Sequence, residues 1–358
     1  MDNNFGKNLR TSSKALPLCA KSAEIRFAVA EGGEISDGAE LLASVAGGGS
    51  LAVAELYAGE SAGASGFPSC GLTRFFGTQA GEKGFYRGME AMAVSGAEGR
   101  RLEFGGKRVG ICFEDDCARY AVLGGLFPRD LSAPKYRQAL DVFGAMEGAL
   151  KSAGMDFSNV FRTWFYNDGI LDWYGDFNRA RDAFFEKRGV FGRYVPASTG
   201  IGSRNAEGAA IMARAFAILP KRPEAKFSAV PSPLQCPALD YRSSFSRAAE
   251  FSHPNFRYLT ISGTASIEPG GKTAHAGDIR GQINLSLDVA GAILESRGMG
   301  WGDVLRSVAY LKDAAYEPAF AEIRRARGLE KLPCVWIQAD VCRGDLLFEI
   351  ELDAAAAR

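Results

Sequence analysis

Lys151-SAGMDFSNVFRTWFYND and Glu295-SRGMGWGDVLRSVAYLKD carry one pattern, 144 residues apart, and that repeat decides the fold. Met155, Val160, Arg162 and Tyr166 of the first fall on Met299, Val304, Arg306 and Tyr310 of the second. The match extends outward. Upstream, Arg119-YAVLGGLF answers Arg257-YLTISGTASI, and downstream Pro196-ASTGIG answers Pro333-CVWIQAD. Three matches in the same order indicate a duplicated structural unit.

Each copy reads as a strand rich in Val, Leu, Ile and Tyr, a loop, and a helix with apolar residues near i, i+3, i+4 and i+7: Leu140, Phe143, Met146 and Leu150 in one, Leu285, Val289, Ile293 and Leu294 in the other. A strand, a second helix and a closing strand pair follow. The second helices, Asp176-FNRARDAFFEKRG and Tyr316-EPAFAEIRRARG, each end at a glycine suited to a left-handed C-cap. The unit is β-β-α-β-α-β-β, an α/β (α+β) architecture with helices on one sheet face, and the other face must be buried against a further copy. In the closing strand, Leu346-LFEIEL, alternation sends Leu346, Phe348, Ile350 and Leu352 under the helices and Leu347, Glu349 and Glu351 toward the junction between units.

Residues 107–220 thus form the first unit and 241–358 the second, joined by a proline-rich linker at 221–240. Residues 1–106 differ in composition, with the Gly- and Ala-rich stretch Val45-AGGGSLAVAELYAGESAGASG and short β-like runs Ile25-RFAVA and Met89-EAMAVSG. This β-rich leading region is read in the place of a third unit, in a pseudo-trimer-like arrangement.

Bulk composition narrows the function classes. The chain has 358 residues, 47% of them hydrophobic, and 42 basic against 42 acidic side chains. No global field draws in nucleic acid or an anionic membrane, and no apolar run reaches membrane-spanning length or forms a leader, so the expected location is the cytoplasm. Seven scattered cysteines without a C-x-x-C pair argue against a disulfide framework or a zinc site, and two histidines, His253 and His275, argue against a His-rich metal centre. Acid–base chemistry falls to carboxylates, tyrosine, cysteine or water. No Walker loop or Rossmann glycine signature is present, so no cofactor is implied.

The order of strand, SG-x-A, helix, strand ending in Tyr, helix and acidic closing strand resembles the YjgF/RidA superfamily, whose trimers place ligand sites between subunits. Arg162-TWFY, Asp176-FN-x-x-R-x-AF, Pro196-ASTGIG, Ser244-FSRA and above all Ala339-DVCRGDLLFEIE are similar to the chorismatases, which fuse such units in one chain. The resemblance covers roughly residues 107–354. It implies release of pyruvate from chorismate, leaving a dihydroxycyclohexadiene carboxylate or a hydroxybenzoate. It also implies that Glu349 is the acid and that Cys342, seven residues earlier, marks the hydroxybenzoate branch. Trp164-Phe165-Tyr166 departs from the family, which has a polar residue between the aromatics.

An enol ether breaks once its terminal methylene carbon is protonated, so a positioned acid is the indispensable group. A glutamate buried at a junction can hold its proton near neutral pH, which suits Glu349; an ordinary junction carboxylate is the competing reading. Chorismate's two carboxylates call for fixed donors. Candidates are Arg247, Arg343 and Arg162, set against a surface salt bridge, a turn-stabilising pair with Asp345, and a structural role shared with Arg306. Thr199 and Gly200 offer a hydroxyl and backbone N–H groups, or simply a strand entry. Tyr194 and Gln338 are further contacts, with Tyr194 equally a core aromatic. Two other functions stay in play: a RidA-like imine or enamine deaminase, and a non-catalytic metabolite-binding protein. The deaminases use an arginine fifteen residues before the final-strand glutamate; that position is Cys334 here, and copy one reads Pro196-Ala197-Ser198-Thr199. Fusion of the units makes a monomer the expected state, with pairing through exposed edges left open.

Overall fold

A computed structural model describes residues 10–19, 23–32, 50–58, 72–76, 86–205, 207–241 and 243–358. Most of the Val45–Gly66 stretch, the first nine residues and Cys70 lie outside the described residues. The leading region supplies β1 (Arg10–Pro17), β2 (Glu24–Glu31), β3 (Ser50–Ala58), β4 (Leu72–Phe76) and β5 (Tyr86–Ser95). Then come β6 (Arg100–Phe104), β7 (Lys107–Glu114), β8 (Ala118–Leu126), α1 (Lys135–Ser152), β9 (Val160–Asn167), α2 (Ile170–Arg188), β10 (Ala197–Ile201), β11 (Arg204–Asn205) and β12 (Ile211–Pro220). The last unit holds β13 (Lys226–Val230), β14 (Ala248–Ser252), β15 (Phe256–Ala265), α3 (Ile279–Ser296), β16 (Val304–Leu311), α4 (Glu317–Ala326), β17 (Cys334–Gln338) and β18 (Phe348–Ala357).

Three six-stranded sheets result, and five strands of each follow one order: β1-β2-β5-β3-β4, β7-β8-β12-β9-β10 and β14-β15-β18-β16-β17. In all three the pair at one end is parallel, β3 with β4, β9 with β10 and β16 with β17. The leading region is therefore a third copy of the topology. The sixth strands knit the copies together. β6, from within residues 1–106, pairs with β7, and β11 crosses to β4. β13, inside the segment read as a linker, pairs with β14; four prolines hid its short Lys226–Val230 strand.

The helices form where the apolar period required. Val142, Phe143, Met146 and Leu150 of α1 and Ile283, Leu287, Ala290 and Ile293 of α3 are buried, covering the outer faces of the second and third sheets. α2 starts at Ile170, six residues before Asp176, and leaves helical geometry at Trp173. It ends at Gly189 with φ 64°, and Gly328 beyond α4 has φ 68°. Phe348, Ile350 and Leu352 lie under the helices as alternation requires, whereas Leu346 precedes β18 and packs into the core between the sheets. No described helix is long and apolar enough to cross a membrane.

The inner faces of the three sheets share one core, with Phe27, Tyr120, Phe161, Phe216, Tyr258 and Tyr310 in contact across the units. A charged cluster lies within it. Arg306 binds Glu90 and Glu351, both at 2.5 Å, and Asp353 at 3.1 Å; Arg214 binds Glu55 and Glu90; Arg162 binds Glu351. Trp164 stands among the three guanidiniums, 4.2 Å from that of Arg214 and 4.7 Å from that of Arg162, and donates its indole N–H to Glu351. Burial and the neighbouring Glu90 charge raise the Glu55 carboxyl well above its usual range, while Arg306 and Arg214 hold Glu90 down at about 2. With Glu55 protonated, three cations face three carboxylates. Arg306→Met removes one partner from three buried carboxylates and is expected to lower stability by about 3–5 kcal/mol, read as a fall in the urea midpoint at unchanged slope.

Candidate active site

β15 carries a bulge between Ile261 and Thr264 where it pairs with β18. Gly263 lies in it, and a Cβ there would overlap the Glu349 carboxyl, coming 2.8 Å from its carbon and 3.2 Å from Thr199 Cγ2. Glycine thus lets the Glu349 side chain lie across β15. Counted along the chain with the leading region as the first unit, residues 107–220 are the second and 241–358 the third, and the second closes over this spot. Ser198 N–H donates to Ser262 Oγ at 2.9 Å, Ser246 N–H to the Pro196 carbonyl at 3.0 Å, and Gly202 N–H to the Asp340 carbonyl at 2.7 Å. Ser244 Oγ binds Asp182 at 2.5 Å.

A narrow cavity, partly open to solvent, lies along this seam. The second unit contributes Tyr174, Arg181, Ser198 and Gly200; the third contributes Tyr241, Ser243, Phe245, Arg247, Gly263, Ala265, Ile267, Cys342, Arg343 and Glu349. Among the described residues Glu349 is the one carboxyl in the lining, and three guanidiniums accompany it. Arg247 donates from Nε to the Cys236 carbonyl at 3.0 Å and Arg343 from Nη1 to the Gly271 carbonyl at 2.7 Å. Both stack on Tyr241, at 5.2 and 5.4 Å. Arg181 binds Asn178 Oδ1 at 2.7 Å. Arg247 Nη2 and Arg181 Nε are buried without a hydrogen-bond partner, so two oriented donors remain for an anion.

Burial pushes Glu349 up to about 8, helped by the Glu351 charge and opposed by Arg162 and Arg247. At neutral pH it carries its proton. The Cys342 thiol is pushed up to about 12 by burial and by Glu349, and is neutral too. The arrangement holds a protonated carboxyl beside cations, in a pocket for an anionic molecule.

Of the residues singled out in the sequence, Glu349, Cys342, Arg247, Arg343 and Gly200 come together here. Four lie elsewhere. Arg162 and Thr199 belong to the charged cluster behind the wall: Arg162 Nη2 donates to Thr199 Oγ1 at 2.6 Å, and Thr199 in turn binds Glu351. Tyr194 gives its hydroxyl to the Phe161 carbonyl at 2.8 Å and packs on Phe227. Gln338 reaches the Lys312 carbonyl at 3.4 Å. Sequence reasoning missed Tyr174, Tyr241 and Arg181, although Arg181 is the arginine of Asp176-FN-x-x-R-x-AF.

The positions equivalent to Glu349 in the other units show why one seam differs. Glu349 pairs with Tyr310, Met212 with Tyr166, and Gly88 with Tyr57. Only one of these three residues has an acid.

No family model matches the chain. It is 31% identical over 273 residues to a 3-hydroxybenzoate synthase of Streptomyces hygroscopicus, an alignment that takes in 69% of this chain and 76% of the relative. A chorismatase of the same organism is 32% identical over 213 residues, 53% of this chain and 60% of that one. A crystal structure of chorismatase shares the fold with a TM-score of 0.63 over 85% of this chain and 93% of the other, at 20% identity. The extent and identity of the first match show that the chain belongs to the chorismatase family.

Proposed function

We propose that this protein removes the enolpyruvyl side chain of chorismate as pyruvate, with Glu349 as the proton donor. The observation that carries the reading is the protonated Glu349 carboxyl, alone among three guanidiniums at the seam of two units. Chorismate has two carboxylates, and Arg247, Arg343 and Arg181 are matched to them in charge and in planar geometry. The family membership and the name of the 3-hydroxybenzoate synthase relative support the same substrate. A deaminase reading lacks its arginine, since Cys334 stands at that position, buried in β17.

In this mechanism the Glu349 proton goes to the terminal methylene carbon, leaving a carboxylate and an oxocarbenium ion. Water adds to the cationic carbon and loses a proton, and the hemiketal's bond to the ring oxygen breaks as pyruvate leaves. When the ring hydroxyl adds instead, its proton returns to the Glu349 carboxylate, its oxygen breaks from the ring and departs as the carbonyl oxygen of pyruvate, and a ring C–H proton ends on the remaining ring oxygen as the ring becomes aromatic. Capture by water yields the dihydroxycyclohexadiene carboxylate and takes up one water. The hydroxybenzoate route takes up none overall. We assign the hydroxybenzoate outcome, on the likeness to the 3-hydroxybenzoate synthase. Cys342, a neutral thiol beside Glu349 and Tyr174, narrows the cavity at the place where the cation is captured. The chemistry uses no metal or nucleotide, and the substrate is a small molecule met in the cytoplasm by a monomeric chain.

Four experiments test this. Wild-type protein given chorismate is expected to release pyruvate, read by coupling to lactate dehydrogenase, and Glu349→Gln is expected to lower kcat roughly 100-fold or more. Absence of pyruvate at high wild-type concentration overturns the assignment. Because the donor must be protonated, the rate holds below the Glu349 value of about 8 and falls as pH rises through it. Gly263→Ala pushes the carboxyl off its position and is expected to cost on the order of 100-fold in kcat with little change in KM. Cys342→Ala enlarges the cavity beside the cation, and chromatography of the ring products is expected to show a larger dihydrodiol share.

A further inference from the structure

Four ligand-type side chains that the cavity does not use meet at the far ends of three equivalent hairpins. Cys19 lies in the β1–β2 turn, Asp115 and Cys117 in the β7–β8 turn, and His253 in the β14–β15 turn, one turn from each unit. Their donor atoms lie within 4.8 Å of one another. Cys19 Sγ is 3.5 Å from His253 Nε2, which is 3.0 Å from Asp115 Oδ2. Asp115, Cys117 and His253 are buried and Cys19 is half-buried.

The turns are tied so that these atoms stay together. Asp115 Oδ1 accepts the Cys117 and Ala118 amides at 2.8 Å, and Oδ2 accepts the Cys19 amide at 2.9 Å, so one carboxylate fixes both cysteine backbones. Asn255 Nδ2 donates to the Leu18 carbonyl at 3.1 Å, joining the third turn to the first. Phe256 stacks on the His253 ring at 4.4 Å and 17°, which sets its plane. An ion with four bonds of 2.0–2.3 Å in tetrahedral array holds its donor atoms roughly 3.3–3.8 Å apart, a spacing this cluster reaches with small side-chain shifts.

We propose that Cys19, Cys117, His253 and Asp115 form a tetrahedral binding site for a zinc-class divalent ion, which fastens the three units at one end of the molecule. Two sulfurs and an imidazole select borderline and soft metals over magnesium or calcium. Binding releases the two thiol protons. The imidazole proton moves from Nε2 to Nδ1, and the Asn255 amide, which donates to Nδ1 at 3.1 Å, has to turn away. The loaded site has a formal charge of −1, and Lys221, whose Nζ donates to the Asp115 carbonyl at 2.8 Å, stands beside it. None of the four residues lines the cavity, so the ion is structural and the proton transfer proceeds without it.

The test uses the full chain. Protein purified from zinc-supplemented culture is expected to contain one zinc per chain by mass spectrometry of the metal. Chelator-stripped wild type titrated with Co2+ is expected to show intense tetrahedral d–d bands and a thiolate charge-transfer band, and to gain thermal stability as Zn2+ is added. Cys19→Ser, at the half-buried ligand, is expected to lose the charge-transfer intensity and at least tenfold in affinity while keeping its circular dichroism. Sub-stoichiometric zinc with a weak octahedral cobalt spectrum in the wild type overturns the proposal whether or not any variant folds. So does a Cys19–Cys117 disulfide in place of metal, or a Cys19→Ser spectrum identical to wild type.

Discussion

The fold depends on keeping charge neutral where three sheets meet. Glu90, Arg214 and Glu351 occupy equivalent places on the central strands β5, β12 and β18, two residues beyond the positions opposite Tyr57, Tyr166 and Tyr310. Three identical units would bring three like charges together in a dry core. The three copies differ here: Arg214 stands at that place in the middle unit and pairs with Glu90, while Arg162 of the middle unit and Arg306 pair with Glu351. Buried ion pairs seldom add net stability over apolar packing, but they penalise every arrangement that leaves a charge unpaired. The cluster therefore fixes which unit sits beside which. The position of Glu349 against β10 of the second unit follows from that order.

Divergence of the copies also explains why this seam carries the acid. At the place of Glu349 the first unit has Gly88, whose backbone faces the Ala30 carbonyl and the Val335 side chain. The second unit has Met212, buried in the core shared by the sheets. Neither residue offers an acid at its seam. The third keeps a carboxyl, a glycine bulge opposite it and a ring of arginines. Duplication supplied three equivalent junctions, and side-chain change left the chemistry at one of them.

Much of this was legible in the sequence, and the limits have physical causes. The Arg162/Arg306 repeat gave two units and their helices because apolar period and turn residues are local signals. The strand order of the leading region was not readable from its Gly- and Ala-rich composition, which blurs alternation. Glu349 and Cys342 were found through the closing string, and Arg247 and Arg343 through the need for anion donors. Arg162 and Thr199 were placed in the site because a buried arginine at a junction looks the same in sequence whether it faces a ligand or another unit's glutamate. Arg181 and Tyr174 were missed since α2 begins before the point its pattern shows, so the face it turns to the seam was not visible. The Cys19, Asp115, Cys117 and His253 cluster was hidden for a related reason: spacing rules find ligands that are close in one segment, and these come from three.

Glu349 and Glu351 are two residues apart on one face of one strand, and their surroundings give them opposite characters. Glu351 is held by Arg162, Arg306, the Trp164 indole and Thr199, so every lone pair it offers is engaged by a donor fixed in the core. Glu349 among the described residues forms no ion pair, and the Glu351 charge makes its own ionisation harder. The structural carboxylate thus tunes the reactive one: Arg162 and Arg306 are bonded to Glu351 and not to Glu349, and the Glu351 field, reaching Glu349 through a medium that screens poorly, works against the pull of Arg162. A carboxyl that keeps its proton at neutral pH, beside arginines that bind the substrate's anions, needs this division. Had Arg162 faced the cavity and bonded Glu349 in place of Glu351, it would have added to the pull of Arg247 that favours loss of the proton.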